Sequence, residues 1–285
     1  MENKVVYKLK GHEKFPLRDG WITKGIKGVI ENGMTIFRNG EGPDILGVGT
    51  NMVKSIRYWM QACGILEKVN NKDELSEIAK IIYEYDRNFE DVFSIWLLHS
   101  NLAKNKEAAT IWYMFFNRFE ADEFSKADLQ EHMKTEMFNL VGKHVTESSV
   151  KDDIDVLLNM YSKKDNRGED PEDKSISPLA MLGLIEKDGD TYIRMQPSLE
   201  KLDRMIILYE LSCMFKYEKA LSIDRICTGE NGLEKIYNLS RVAVNKYLDE
   251  LETIEAIRVD RTAGLDMVYP MNMENPIEII KAYYR

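Results

Sequence analysis

The densest run of chemically capable side chains lies between Gly11 and Gly25, where His12, Glu13, Arg18 and Lys24 alternate with Phe15 and Trp21. An imidazole, a carboxylate, a guanidinium and an ammonium this close together suit a phosphate. Arg18 offers a planar fork, Lys24 a point charge, and an aromatic face supports a base or a guanidinium. The same set suits phosphodiester hydrolysis, with His12 as general base or, together with Glu13, as ligand to a divalent ion such as magnesium or manganese. Arg18 and Lys24 would then stabilise charge on the scissile phosphate. On an extended strand His12 and Glu13 would point to opposite faces, so a turn is needed to bring both to one ion. The competing reading is mechanical: Phe15, Leu17 and Trp21 anchor the segment and Arg18 pairs with a buried acid.

Two further groups suit nucleic acid. Asn51, Lys54, Ser55 and Arg57 share one predicted helix; Arg57 and Asn51 are types that read guanine and adenine edges, and Lys54 suits a phosphate. Arg241, Asn245 and Lys246 hold the same places near the C-terminus, flanked by Arg258 and Arg261, but Asp249, Glu250, Glu252 and Glu255 follow and would repel phosphate. The remaining histidines have no ligand-spaced partner, and His99, beside Trp96, reads as a core residue. No Walker A, GxGxxG, GxSxG or HExxH sequence occurs, which removes the best sequence support for nucleotide hydrolysis, dinucleotide chemistry, serine esterase chemistry and zincin proteolysis.

The elements that must position these groups follow from apolar spacing. Ile45–Leu66 and Ile236–Ile257 share a pattern of short helix, turn, second helix and strand start; laying Val48 on Leu239 puts Val53 on Val244, Ile56 on Tyr247 and Met60 on Leu251. Thr50 and Ser240 are the expected N-caps and Gly64 the expected residue after a helix end. This is a helix-turn-helix template, and Ile257–Pro270 adds two short strands around Thr262–Gly264 as a wing. A third, weaker unit has helices from Ser125 and over Glu147–Tyr161, then a hairpin around Asp188–Gly189. Helices over Asp73–Tyr85, Phe89–Leu102 and Ala108–Phe119, the last two aromatic-rich, join them as a hub, and Ser162–Lys174 reads as an exposed linker. The expected fold is therefore mainly α with small β wings: a basic winged-helix-like domain (1–70), a helical hub (71–122), a middle winged-helix-like unit (123–200) and a C-terminal winged helix (201–285).

Charge sharpens the division. The 285 residues carry 39 Lys+Arg and 48 Asp+Glu, a net −9, so any nucleic-acid site must be local. Residues 1–66 hold ten basic and six acidic side chains, 10 − 6 = +4, which leaves (39 − 10) − (48 − 6) = −13 for the rest. Cys63, Cys213 and Cys227 are far apart, which argues against a disulfide framework or a cysteine zinc site and fits a reducing cytoplasm. The first residues lack the apolar core of a signal peptide, and no run approaches the roughly 18–20 apolar residues that cross a bilayer. The expectation is a soluble cytoplasmic protein without membrane partners.

The runs 11–25 (GHEKFPLRDGWITKG), 46–59 (LGVGTNMVKSIRYW) and 112–119 (WYMFFNRF), with Asp152–Leu157, Ser177–Ile185 and Thr262–Leu265, resemble a bacterial domain-of-unknown-function family encoded beside DNA sulfur-modification genes. In that setting the family resembles the nicking component of single-stranded DNA phosphorothioation systems. The resemblance implies DNA as a partner, together with a cysteine desulfurase, an ATP-pyrophosphatase-like enzyme and an ATPase. It transfers motif positions and no settled roles: His12, Glu13, Arg18, Trp21, Lys24, Asn51, Lys54 and Arg57, plus Asn117 and Arg118. Two functions stay open at this point. One is a nickase working by metal-assisted phosphodiester hydrolysis in modification and defence; the other is a non-catalytic DNA-binding adaptor or transcriptional regulator that recruits the modification enzymes. A pure interaction scaffold is the third, favoured by the acidic remainder.

Overall fold

The computed structural model describes residues 6–38, 40–162, 176–264 and 266–285; Lys163–Lys174 of the expected linker lies outside them. The chain divides into two compact units, Met1–Met195 and Gln196–Arg285. Both are mainly helical with small antiparallel sheets. Among the described residues no helix is long and apolar enough to cross a membrane.

The first unit opens with α1 (Trp21–Asn32), α2 (Gly42–Leu46) and α3 (Thr50–Ala62), followed by the hairpin β1 (Leu66–Val69) and β2 (Lys72–Leu75). Gly25 lets α1 lie close on α3, since a Cβ there would run into the Met60 sulfur. Gly49, not Thr50, is the N-cap of α3. Gly64 follows its end at φ 70°, as expected, and Ile65 bonds back to Met60 O. The helix expected from Asp73 starts later. Lys72–Leu75 pairs with Leu66–Val69 instead, and Ser76 then caps α4 (Glu77–Tyr85) by accepting the Ala79 amide. A helical apolar spacing had hidden a strand of four residues.

Next come α5 (Val92–Lys104) and α6 (Thr110–Arg118), whose Phe93, Trp96, Trp112, Phe115 and Phe116 are fully buried with Trp59 of α3 and form the core. They are followed by β3 (Glu123–Ser125), α7 (Lys126–Val141), α8 (Glu147–Ser162), β4 (Ile185–Asp188) and β5 (Thr191–Arg194). Ser125 and Asp128 form a reciprocal capping box on α7.

The second unit contains α9 (Arg204–Met214), β6 (Leu221–Ser222), α10 (Ile223–Thr228), α11 (Leu233–Ile236), α12 (Arg241–Thr253), β7 (Ile257–Asp260), β8 (Met267–Pro270) and α13 (Pro276–Tyr284). Ser240 caps α12 by accepting the Ala243 amide, as its sequence predicts. The sheet order β3-β5-β4 of the first unit recurs here as β6-β8-β7. In each, a strand ahead of the helices pairs with the far strand of a later hairpin.

Candidate functional site

The segment ahead of α1 is wound into a tight turn, with Lys10, Glu13 and Lys14 at φ 59°, 50° and 66°. That turn drives His12 inward. Its ring is fully buried, stacked 5.9 Å from the Trp59 ring at 12° and edge-on to Trp112 at 5.8 Å. The Lys14 amide donates to Nδ1 at 3.0 Å, so Nδ1 is the acceptor and the proton sits on Nε2, which donates to Asp153 Oδ1 at 3.0 Å. The Lys10 amide reaches the same oxygen at 2.8 Å. Both imidazole nitrogens are thus spent, and none is left to take a proton from a substrate. Burial pushes the Asp153 carboxyl up, against the lowering effect of His12 and of the Lys10 amide.

His12 and Glu13 do not converge on one ion: the His12 ring is buried against Asp153, whereas Glu13 is exposed. Asp152, beside Asp153, is held below the usual carboxylate range by the Lys10 ammonium, 2.9 Å away, with Lys14 at 3.2 Å. Two ammonium groups already supply the positive charge that a divalent ion would bring. Among the described residues no three His, Cys, Asp or Glu side chains gather as a metal site. Among the described residues, His12 and Glu13 do not form a seat for a protein-held magnesium or manganese.

Arg18 is not paired with a buried acid among the described residues; its guanidinium lies over the rings of Phe15 and Trp21 at 5.7 and 5.5 Å. Trp21 is a core residue and Lys24 stands exposed on α1. Asn117 is buried and donates to the carbonyls of Ala103 and Tyr113, which makes it part of the α5–α6 packing, while Arg118 stays exposed at the end of α6. In the second unit Arg241 is tied to Asp224 at 2.9 Å and Glu234 at 2.7 Å, and Arg261 to Asp249 at 2.7 Å, leaving Lys246 exposed on α12.

What the fold does bring together is a cavity of about 880 Å³, walled by the segment before α1, by α3 and by the β1–β2 hairpin. Lys54 and Arg57 reach it from α3 and Lys68 from the hairpin, with Lys8, Arg38 and Glu13 beside them. Arg57 is fixed by Asp73 Oδ2 at 2.5 Å, and that oxygen also accepts from Gln61 at 3.1 Å. The guanidinium Nε is buried with no acceptor. Lys8, its backbone amide held by Thr110 Oγ1 at 2.9 Å, is pushed to a lower pKa by burial first and then by Arg57 and Lys68. Gly11 makes room for it, since a Cβ there would collide with the Tyr58 ring and press on the Lys8 side chain. Asn51, exposed nearby on α3, accepts from Lys54 at 3.2 Å. Sequence reasoning found Lys54 and Arg57 and missed Lys8, Arg38 and Lys68. The cationic excess before residue 67 pointed to the first two of these; Lys68 lies just past it, on the hairpin after α3.

Fold and site together define a mainly helical protein with small antiparallel sheets and a cationic cavity in its first unit. The chain belongs to the DUF4007 family, described as a protein of unknown function, whose model matches residues 9–284. It is similar in structure to "Magnesium ion-bound SspB", with a TM-score of 0.84 and 22% identity over 96% of this chain and 86% of that one. A second SspB crystal structure is similar at a TM-score of 0.83 and 22% identity, over 98% of this chain and 87% of that one. No curated protein matches the chain.

Proposed function

We propose that this protein grips the DNA backbone through the cationic cavity of its first unit, in a bacterial phosphorothioate modification and defence system. The observation that carries the reading is local charge. Lys8, Arg38, Lys54 and Lys68 stand at the cavity without a carboxylate ion-pair partner among the described residues, in a protein whose net charge is −9. With Arg57, these five cations outnumber the Glu13, Asp73 and Glu107 carboxylates of the same wall, and such a cationic excess is what a polyanion displaces its own counterions to meet. The setting rests on the resemblance of the three motifs, supported by the family membership and the SspB-like fold.

The architecture we infer is three winged-helix units, in residues 1–70, 123–200 and 201–285, joined by a hub over 71–122. The repeated sheet order supports it for the later two; for the first, the α2–α3 turn followed by β1 supports it, with the pairing strand β2 (Lys72–Leu75) running past residue 70. On this reading α3 is the recognition helix and β1–β2 the wing, so Lys54, Arg57 and Lys68 come from the two parts of such a domain that meet a duplex. The matching arginines of the C-terminal unit are neutralised internally, which suits contact with partner proteins of the modification system rather than with phosphate.

Of the functions left open by the sequence, the geometry favours a non-catalytic positioning subunit, because His12 is a buried structural tie. One observation favours nicking, the magnesium ion in one similar structure. Incubating supercoiled plasmid with purified protein, with and without chelator, separates the two: chelator-sensitive conversion to open circle would establish a nickase, and binding without conversion the adaptor. The grip itself is tested by titrating DNA affinity against salt, where four phosphate contacts give a log–log slope of about −3.6 and a flat response leaves only a scaffold.

A further inference from the structure

Resting on the reading of the cavity as an anion site, its shape narrows the ligand. Besides the cations that a backbone would meet, Lys8, Arg57 and Lys68 surround a hollow of about 880 Å³. That lies within the range of roughly 300–1,000 Å³ typical of sites that swallow a small molecule. Lys8 is an exposed residue whose ammonium lies 5.4 Å from the Tyr58 ring; desolvation there and repulsion from Arg57 and Lys68, offset in part by Asp73, work against its charge, a conflict that an anion seated among them relieves. Arg57 is locked in place by Asp73 with about a third of its side chain still exposed. The rest of the wall is of another kind. Phe37 offers ring surface, Asn71 at the hairpin tip offers an amide, and Gln61 has given only its amide nitrogen to Asp73. Rings and amides are what meet the face and the edge of a base.

We propose that the cavity holds a single nucleotide unit, its phosphate on Lys8, Arg57 and Lys68 and its base against the ring and amide groups of the remaining wall. The unit is either a free nucleotide or an unpaired nucleotide of a strand, and the chemistry recognised is the same in both.

The test is equilibrium binding to the full chain of four probes: inorganic phosphate, dAMP, a 5′-phosphorylated single-stranded hexamer and closed circular duplex. Binding of dAMP or the hexamer more tightly than inorganic phosphate is the expected result. Lys8→Ala and, on the exposed hairpin, Lys68→Ala should each weaken it at least about tenfold, the loss of one charge-assisted contact, with Lys68→Arg restoring it. Equal affinity for dAMP and hexamer identifies a free nucleotide; binding of the hexamer alone identifies a strand. The proposal is overturned if neither binds, if inorganic phosphate binds as well as the tighter of dAMP and the hexamer, or if the lysine variants bind like the parent. Closed circular duplex still bound in those cases would leave the backbone grip standing and remove only the nucleotide pocket. A bound nucleotide without bound duplex would do the reverse.

Discussion

His12 shows how a residue type that suggests chemistry can serve structure. It joins the turn before α1 to α8 through Asp153, 141 residues away, and stands among Tyr58, Trp59 and Trp112. Its removal leaves a buried carboxylate without its main partner, which costs about 3 kcal/mol. His12→Ala is therefore expected to lower the urea midpoint sharply while DNA affinity per folded molecule stays near that of the parent; unchanged stability with abolished nicking would restore the catalytic reading. Asp153 makes a pH prediction. Because its pKa is raised in the fold, the native state holds more protons than the unfolded chain between the ordinary carboxylate value and the raised one. Its contribution is thus full below that window and is lost as pH rises through the folded pKa. Asp153→Asn keeps an acceptor for the Lys10 amide and for His12 and should remove this slope in urea midpoints measured against pH. At the cavity, anion binding needs Lys8 protonated, and its pKa is lowered by burial, Arg57 and Lys68. Affinity for dAMP should fall with rising pH sooner in the parent than in Lys8→Arg.

At the scale of elements, the helices that carry local caps and a clean apolar stripe were legible: Ser125, Ser240 and Gly64 act where their types predict. The β1–β2 hairpin was half legible. Leu66 read as a strand start, but Asp73 and Leu75 fit a helical spacing equally well, and only pairing with Leu66–Val69 decides between the two. Arg194 on β5 was not legible at all. Its guanidinium donates to the carbonyls of Phe115 and Phe119 at the end of α6, lies 4.3 Å from the Phe115 ring, and is lowered to about 10 chiefly by burial. It closes the C-terminus of α6, where carbonyls lack helical partners and a cation is favoured. Arg194→Ala should destabilise the protein by about 3 kcal/mol in denaturant unfolding, and Arg194→Lys should recover little, since an ammonium lacks the planar fork.

For the whole molecule, the prediction is a division of labour between the two units. Lys54→Ala and Lys68→Ala should each reduce the salt slope of DNA binding by about one. Lys246→Ala and Arg241→Ala should leave it unchanged, because Arg241 is already neutralised by Asp224 and Glu234. A slope that responded to the C-terminal pair instead would move the DNA contact to that unit. The helical character, most element positions and the cationic excess ahead of residue 67 could be read from residue order alone, since caps, periodicity and charge are written within a few residues of where they act. Which polar groups meet solvent depends on long-range packing. His12 turns inward to Asp153, Asn117 to the carbonyls of Ala103 and Tyr113, and Lys8 comes to Lys68 and Arg57 at one cavity. Side chains of like chemistry are sorted by partners far off in the chain, and the cost of burying an unpaired polar group does the sorting.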